Sequence, residues 1–240
     1  MAELLLELFS EEIPARMQAR AADDLKRLVT DKLKAAGLAF TRADAYATPR
    51  RLALVVEGLP TSQPDVKEEK KGPRVGAPQQ AIDGFLKSAG LTALDQCEQR
   101  DTGKGVFYFA VIEKKGGATG AVLEQAIGAM LQEFPWPKSM RWAGYGFRWV
   151  RPLHGIVFVF DGKPVAATFK LGNFEQQAGN ETRGHRFLAP GKIAVTGFAD
   201  YQAKLRAAKV ILDPAERRAE IWKQAQALAA KEGLTVDPED

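Results

Sequence analysis

The 240-residue sequence has few of the residues that form disulfides and metal sites, with one cysteine, Cys97, and two histidines, His154 and His185. A single cysteine excludes an internal disulfide and favours a reducing compartment. Neither histidine has a Cys, Asp or Glu at the spacing of metal ligands, so no metal site is predicted. No spacing indicates a Ser–His–Asp or Cys–His arrangement, and the chain by itself is predicted to be non-catalytic.

Long apolar runs are also missing. No stretch approaches the roughly 18 apolar residues that cross a bilayer, and Glu3 and Glu7 interrupt the apolar opening, which has no basic residues before it. We expect a cytoplasmic protein with no membrane partner. No Walker pattern occurs, which argues against a nucleotide-binding P-loop, and we detect no internal repeat or low-complexity tract.

The composition is that of an ordinary globular protein, with 45% hydrophobic and 27% charged residues. The net charge of +4 and the pI near 9.1 permit a polyanionic partner without requiring one. The distribution of charge is therefore more informative than its total.

Positive charge is concentrated in residues 134–154, where no acid occurs and where proline and glycine exclude a regular helix. Cations alternating with flat rings on irregular backbone suit a surface that binds phosphates and stacks bases. The alternative is an aromatic loop packed on the core with solvated cations. The candidate contact residues in this segment are Lys138, Arg141, Arg148, Arg151, Trp136 and Trp142.

Two more basic clusters are candidates. Arg50 and Arg51 lie beside a rigid turn, although adjacent strand residues point to opposite faces, so at most one should share a surface with a ligand. In the second cluster, Arg183 and Arg186 flank His185. By contrast, His154 at the start of an apolar strand is interpreted as structural, and Glu11 and Glu12 as residues that favour a helix N-terminus.

Residues 59–78 are predicted to form a loop or linker, because four prolines and a mixed-charge run interrupt the apolar pattern. Within it, Lys71 and Arg74 are candidates for a second phosphate contact, and a solvated surface loop is the alternative.

The periodicity predicts strands, helices and one hairpin. The predicted strands are residues 4–9, 40–46, 52–57, 106–114 and 193–196. The predicted helices are residues 14–37, 79–89, 121–133, 198–209 and 214–232, the last with Asp213 as N-cap and Gly233 as its stop. Residues 154–160 and 164–171 form the predicted hairpin. This is an α+β fold with mixed or antiparallel sheets and packed helices, about one-third helix.

Five blocks of sequence resemble the beta subunit of the bacterial two-subunit-type glycyl-tRNA synthetase, in the order expected for that family. They are Leu6-Glu-Leu-Phe-Ser-Glu-Glu-Ile-Pro14, Thr48-Pro-Arg-Arg-Leu-Ala53, Phe134-Pro-Trp-Pro-Lys-Ser-Met-Arg-Trp142, Val150-Arg-Pro-Leu-His154 and Gly184-His-Arg-Phe-Leu188. Because family members are much longer, we expect this chain to correspond to their N-terminal third.

The resemblance implies a heterotetrameric ligase whose alpha subunit activates glycine with ATP and Mg²⁺ and whose beta subunit supplies most of the tRNA recognition. The expected partners are the alpha subunit and tRNA(Gly), with no cofactor bound by this fragment. The alternatives left open are a hydrolytic editing module that deacylates mischarged tRNA and a purely structural scaffold that bridges the subunits.

The resemblance also implies a core similar to the editing-type domain of phenylalanyl-tRNA synthetase beta chains, with a small inserted α+β domain. We expect a discontinuous core of residues 1–65 and 134–212, an insert of residues 66–133, and the start of a helical domain at residues 213–240.

Overall fold

The computed structural model describes residues 1–63, 65–103, 105–114, 116–141 and 146–237. The chain divides into two compact units, a larger one of Met1–Thr61 with Thr119–Asp240 and a smaller one of Ser62–Ala118. Helices with mixed and antiparallel sheets confirm the predicted α+β class.

In chain order the elements are β1 (Ala2–Ser10), α1 (Ala15–Ala35), β2 (Arg42–Thr48), β3 (Arg51–Leu59), β4 (Val66–Arg74), α2 (Gln79–Ala89), a 3₁₀ turn (Leu94–Gln96), β5 (Glu98–Asp101), β6 (Val106–Lys114), α3 (Thr119–Glu133), β7 (Met140–Arg141), β8 (Arg148–Trp149), β9 (Leu153–Phe160), β10 (Lys163–Pro164), β11 (Thr168–Leu171), β12 (Phe174–Gly179), β13 (Glu181–Arg183), β14 (Lys192–Ala194), α4 (Phe198–Ala207) and α5 (Pro214–Lys231).

The larger unit is built on a seven-stranded sheet in the order β11-β12-β9-β1-β3-β2, with β10 paired to β9. Strand β1 is central and runs antiparallel to both β3 and β9, whereas β12 pairs with β9 in parallel. Because both faces of the sheet are covered, β1 buries side chains on both. Leu4, Leu6 and Leu8 point to one side, and Leu5 and Glu7 point to the other.

Helices cover the two faces of this sheet. On one side α1 and α3 contribute Leu25, Val29 and Ile127 to the main core. On the other side α4 packs Tyr201 and Leu205 against the sheet. The first turn of α4 is capped from the sheet, because the Phe198 N–H donates to Glu3 Oε1 at 2.7 Å. The acidic interruptions of β1 therefore anchor the layer that lies over it.

Helix α3 belongs to the larger unit, although the sequence interpretation groups residues 66–133 as one insert. Its Leu123, Ile127 and Met130 are fully buried in the main core beside α1. The periodicity of a helix shows that one face is apolar, but not which neighbour that face packs against.

The smaller unit is a three-stranded sheet in the order β4-β6-β5 with α2 on one face. Tyr108 and Ala110 of β6 pack against Phe85 and Ala89 of α2. On the opposite face of β6 the side chain of Lys71 covers the ring of Phe107. Its Nζ lies 4.0 Å from the centroid of that ring. The long charged stems thus shield the second face of β6 from water.

The prediction of a loop over residues 59–78 is wrong, because Val66–Arg74 forms strand β4, which pairs antiparallel with β6. Among the described residues, β4 has a strand partner on one side only. Charged side chains are common on such edge strands because they oppose edge-to-edge association. A mixed-charge run therefore resembles a solvated loop in sequence.

The last helix agrees closely with the sequence prediction. Asp213 Oδ1 accepts hydrogen bonds from the N–H groups of Ala215 at 2.7 Å and Glu216 at 3.4 Å, and Gly233 follows the helix at a φ of 69°. Within the described ranges, no helix combines the length and the apolarity that a membrane span needs.

Candidate functional site

Four of the five sequence blocks meet at one end of the central sheet, where β1 ends, β3 begins and β9 begins. The Ser10 N–H donates to Arg50 O at 2.8 Å, and the Glu11 N–H donates to Pro152 O at 3.0 Å. Arg51 Nη2 donates to Arg183 O at 2.8 Å, directly before the Gly184–Leu188 block, and Arg186 of that block donates to Glu11 Oε2 at 2.7 Å. Segments far apart in sequence are thereby held around one cleft, which we call the four-block cleft.

Glu11 is the centre of the polar contacts in the four-block cleft. Its Oε1 accepts from His154 Nε2 at 2.9 Å and from Arg50 Nη2 at 3.4 Å. Its Oε2 accepts from Arg186 Nη2 at 2.7 Å. One carboxylate therefore orders three basic side chains that come from three different blocks.

The electrostatics follow from this geometry. Burial alone would raise the pKa of Glu11, but hydrogen bonds from His154 and Arg186 outweigh it and hold that pKa below its ordinary value. Burial lowers the pKa of Arg50, with Arg186 and Arg51 nearby adding to the effect and Glu11 opposing it. Positive charge is thus crowded and partly desolvated at this end of the sheet.

A second carboxylate, Glu7, lies fully buried beneath the cleft. Thr182 Oγ1 donates to Glu7 Oε1 at 2.6 Å, and the Tyr201 hydroxyl donates to the other carboxylate oxygen. Arg51, 2% exposed, places Nη1 3.5 Å from Glu7 Oε2. This buried network ties β1, β3, β13 and α4 together below the cleft floor.

Gly184 permits the close packing of the cleft wall. A Cβ at this position would lie 2.6 Å from Ala208 Cβ and 2.8 Å from Ala189 O. The His185 N–H donates to Ala208 O at 2.9 Å, which fixes the same approach. Any side chain here would push the wall away from the end of α4.

The described residues of the central segment, 134–141 and 146–154, divide into rings that pack inward and cations that are exposed or half-buried. Lys138, Arg141 and Arg148 are exposed, and within the described part of the chain no carboxylate lies within ion-pair distance of them. Arg151 is half-buried and donates from Nη1 to its neighbour's carbonyl, Val150 O, at 3.0 Å.

The aromatic residues of the central segment that the structure describes pack inward. Trp149 and Phe147 are 1% and 2% exposed and stack with centroids 5.9 Å apart. Trp136 is half-buried, 4.6 Å from Phe134 and 5.1 Å from Trp149. These rings fix the backbone instead of projecting from it, as the packed-loop alternative expects. The candidate Trp142 lies outside the described residues.

The remaining candidates fall into two groups. Arg50, Arg183, His185 and Arg186 border the four-block cleft or the hollow beside it, with Arg51 beneath them. Lys71 and Arg74 are on β4, in the smaller unit. Arg50 is partly exposed whereas Arg51 is buried, so the adjacent arginines do have different environments.

Two residues that sequence reasoning does not select are prominent here. The sequence suggests a helix-dipole role for Glu11, yet it is the carboxylate that orders the cleft. Phe187 is 79% exposed at the cleft rim, unusual for a phenylalanine. Each residue lies within one of the five blocks that resemble the family. That position is the one feature of the sequence by which Glu11 and Phe187 could have been selected. No cluster of three or more potential metal ligands occurs among the described residues.

Comparison with known proteins agrees with the five sequence blocks. A family model described as the glycyl-tRNA synthetase beta subunit matches residues 4–240. Proteins named glycine–tRNA ligase beta subunit are similar: that of Rhodospirillum centenum is 56% identical over 98% of this chain and 36% of its own length. Those of Ruegeria sp. and Paracoccus denitrificans are 53% and 52% identical over 98% and 100% of this chain and over 34% and 35% of their own lengths.

These matches define a subunit of an aminoacyl-tRNA synthetase as the class of protein. The chain belongs to the glycyl-tRNA synthetase beta subunit family. It spans about a third of the length of the curated relatives it matches.

Proposed function

We propose that this chain is the N-terminal part of a glycine–tRNA ligase beta subunit. In this role it contributes tRNA contacts and subunit assembly to the ATP-dependent attachment of glycine to tRNA(Gly). Bond-making, with ATP and Mg²⁺, takes place on the alpha subunit. The family membership supports the assignment to this enzyme, and the charge geometry of the central segment supports the contact role.

The observation that carries the contact role is a pair of like charges. In the β7–β8 ribbon Arg141 is directly opposite Arg148, and both side chains are exposed. Like charges directly opposite each other destabilise a strand pair. A phosphate backbone that passes over the ribbon would neutralise both guanidinium groups at once.

The buried rings hold these cations in place. Phe147 and Trp149 point into the core, so Arg148 between them must point outward. A rigid support of this kind reduces the entropy lost when the arginines bind a partner.

The test is tRNA binding by the full-length beta subunit assembled with alpha, measured across salt concentrations. For Arg141→Gln and Arg148→Gln we expect weaker binding and a salt slope reduced by about 0.7 to 0.9 for each phosphate that the variant no longer neutralises. Arg27→Gln is the matched control, because Arg27 is an exposed arginine of α1 that pairs with Asp24 at 2.8 Å. Unchanged affinity and slope in both variants would contradict the contact role.

The same arginines could instead bind the alpha subunit, since arginine and tryptophan are enriched at protein interfaces. Pull-down of alpha with each variant separates the two partners. A variant that no longer retains alpha but binds tRNA with unchanged affinity would assign the ribbon to assembly.

A separate assay tests whether glycine is activated on the alpha subunit. Glycine-dependent exchange of pyrophosphate into ATP is expected with alpha present and not with this chain alone. Exchange by the isolated chain would refute the division of labour between the subunits.

A further inference from the structure

Three hollows of about 450, 350 and 350 Å³ adjoin one another along the end of the central sheet in the larger unit. The first two share Phe9, His154 and Arg183, and the second and third share Arg50, Gly184 and Arg186. Neighbouring hollows thus share walls, and we call the three together the groove, of which the four-block cleft is the middle part.

Cations are distributed along the whole groove. Its basic lining residues outside the buried layer are Arg183, Lys192, Arg50, Arg186, Lys209 and Arg217. Its acidic lining residues are Glu11, Glu12 and Glu181. Lys192 is paired with Glu181 at 2.7 Å, whereas no carboxylate pairs with Arg183 in the described part of the chain. The groove therefore has an excess of positive charge.

An exposed aromatic ring stands at the rim. Phe187 is 79% exposed and its neighbour Leu188 is 70% exposed. The turn that presents them is fixed, because the N–H groups of Phe187 and Leu188 donate to His185 Nδ1 at 3.3 and 3.1 Å. Together the two side chains form a small exposed apolar patch, and covering it with a partner would be favourable.

We propose that this groove binds a single-stranded stretch of RNA, with a phosphate on Arg183 and one base stacked on Phe187. The inference rests on the proposed function and assigns to it a second RNA contact, separate from the β7–β8 ribbon. A cationic groove that follows a backbone, with an aromatic side chain for a base, is how proteins bind single strands.

The observations favour RNA over an acidic peptide. A polynucleotide has a regular series of charges that matches cations spread over three hollows, and every base has a flat face for the ring. The carboxylate of Glu11 already pairs with Arg50, His154 and Arg186. Arg183 lies beside that carboxylate site and remains available for a phosphate.

The experiment measures binding of a short single-stranded RNA and of tRNA(Gly) to the assembled full-length enzyme. Phe187→Ala should weaken single-strand binding by about tenfold. Phe187→Tyr should retain the wild-type affinity and Phe187→Leu should not, because stacking needs a ring. Arg183→Gln should weaken binding and lower the salt slope by about 0.7, the value for one phosphate of a single strand.

The matched controls are Phe174→Ala, which removes a phenylalanine that is 42% exposed and lies outside the groove, and Arg27→Gln on α1. Both should bind RNA as the wild type does. Phe187→Ala should weaken the binding of duplex RNA less than that of single-stranded RNA, because paired bases are not free to stack on a side chain.

The outcomes separate this inference from the proposed function. If Arg141→Gln and Arg148→Gln weaken tRNA binding while the groove variants do not, the groove inference fails and the proposed contact role stands. If no variant changes tRNA binding, both fail. If the groove variants no longer retain the alpha subunit in a pull-down but bind RNA normally, the groove is a protein interface and the inference is overturned.

Discussion

Replacing Glu7 by glutamine tests whether the buried network beneath the cleft holds the larger unit together. Glu7 is fully buried, and its only charged neighbour among the described groups that contact it is Arg51, which is 2% exposed. The substitution keeps the shape but removes the negative charge, which leaves the guanidinium group buried without an opposite charge. Breaking a buried pair in this way costs about 3 to 5 kcal/mol.

The assay is urea or thermal unfolding followed by tryptophan fluorescence, since Trp149 and Trp136 report on the core of the same unit. For a chain of this size the expected loss corresponds to a melting temperature lower by about 6 to 20 °C. Glu181→Gln is the matched control, an exposed acid paired with Lys192 at 2.7 Å, and should cost less than about 1 kcal/mol.

A double substitution makes the test stricter. Adding Arg51→Met to Glu7→Gln removes the stranded charge, so the double variant should be more stable than Glu7→Gln alone. Equal losses for Glu7→Gln and Glu181→Gln, or further loss in the double variant, would refute the reasoning from a buried pair.

Three further predictions concern the cleft wall, the buried network beneath the cleft and the N-cap of α5. Gly184→Ala should cost about 1 to 3 kcal/mol, because its Cβ would lie 2.6 Å from Ala208 Cβ; a stability equal to that of the wild type in urea would contradict it. Burial, and then the charge of Glu7, raises the pKa of Tyr201 well above its ordinary value, so the folded state binds that proton more tightly than the unfolded state. Stability should therefore fall as pH rises above about 10, and Tyr201→Phe should remove this component in unfolding curves at pH 9 and 11. Asp213→Ala should cost about 0.5 to 2 kcal/mol of α5 stability, seen as faster amide exchange in its first turn.

The sequence predicts most elements of the fold because local signals agree there with the final packing. The boundaries of α2 and β6 and the cap and stop of α5 match the structure, since turn residues, apolar period and capping residues all indicate the same limits. Strand β4 escapes prediction because its charged composition is typical of a solvated loop. Such a strand is recognisable only through its partner β6.

The candidate site could be predicted only in part. Basic residues and rings are visible in sequence, but whether a ring faces the core or a ligand depends on the tertiary fold, and Trp149 faces the core. Arg183 and Glu11 are separated by more than half of the chain, so no spacing rule relates them. Their meeting depends on the register of β1 with β3 and β9 and on the attachment of β13 through Arg51.

The most direct test of the central claim, that this part of the beta subunit touches tRNA, is RNA–peptide cross-linking of the full-length enzyme bound to tRNA(Gly). We expect cross-linked peptides from residues 134–154 and from residues 183–192, which disappear when salt dissociates the complex. Cross-links elsewhere in the subunit, with none in these two segments, would contradict it.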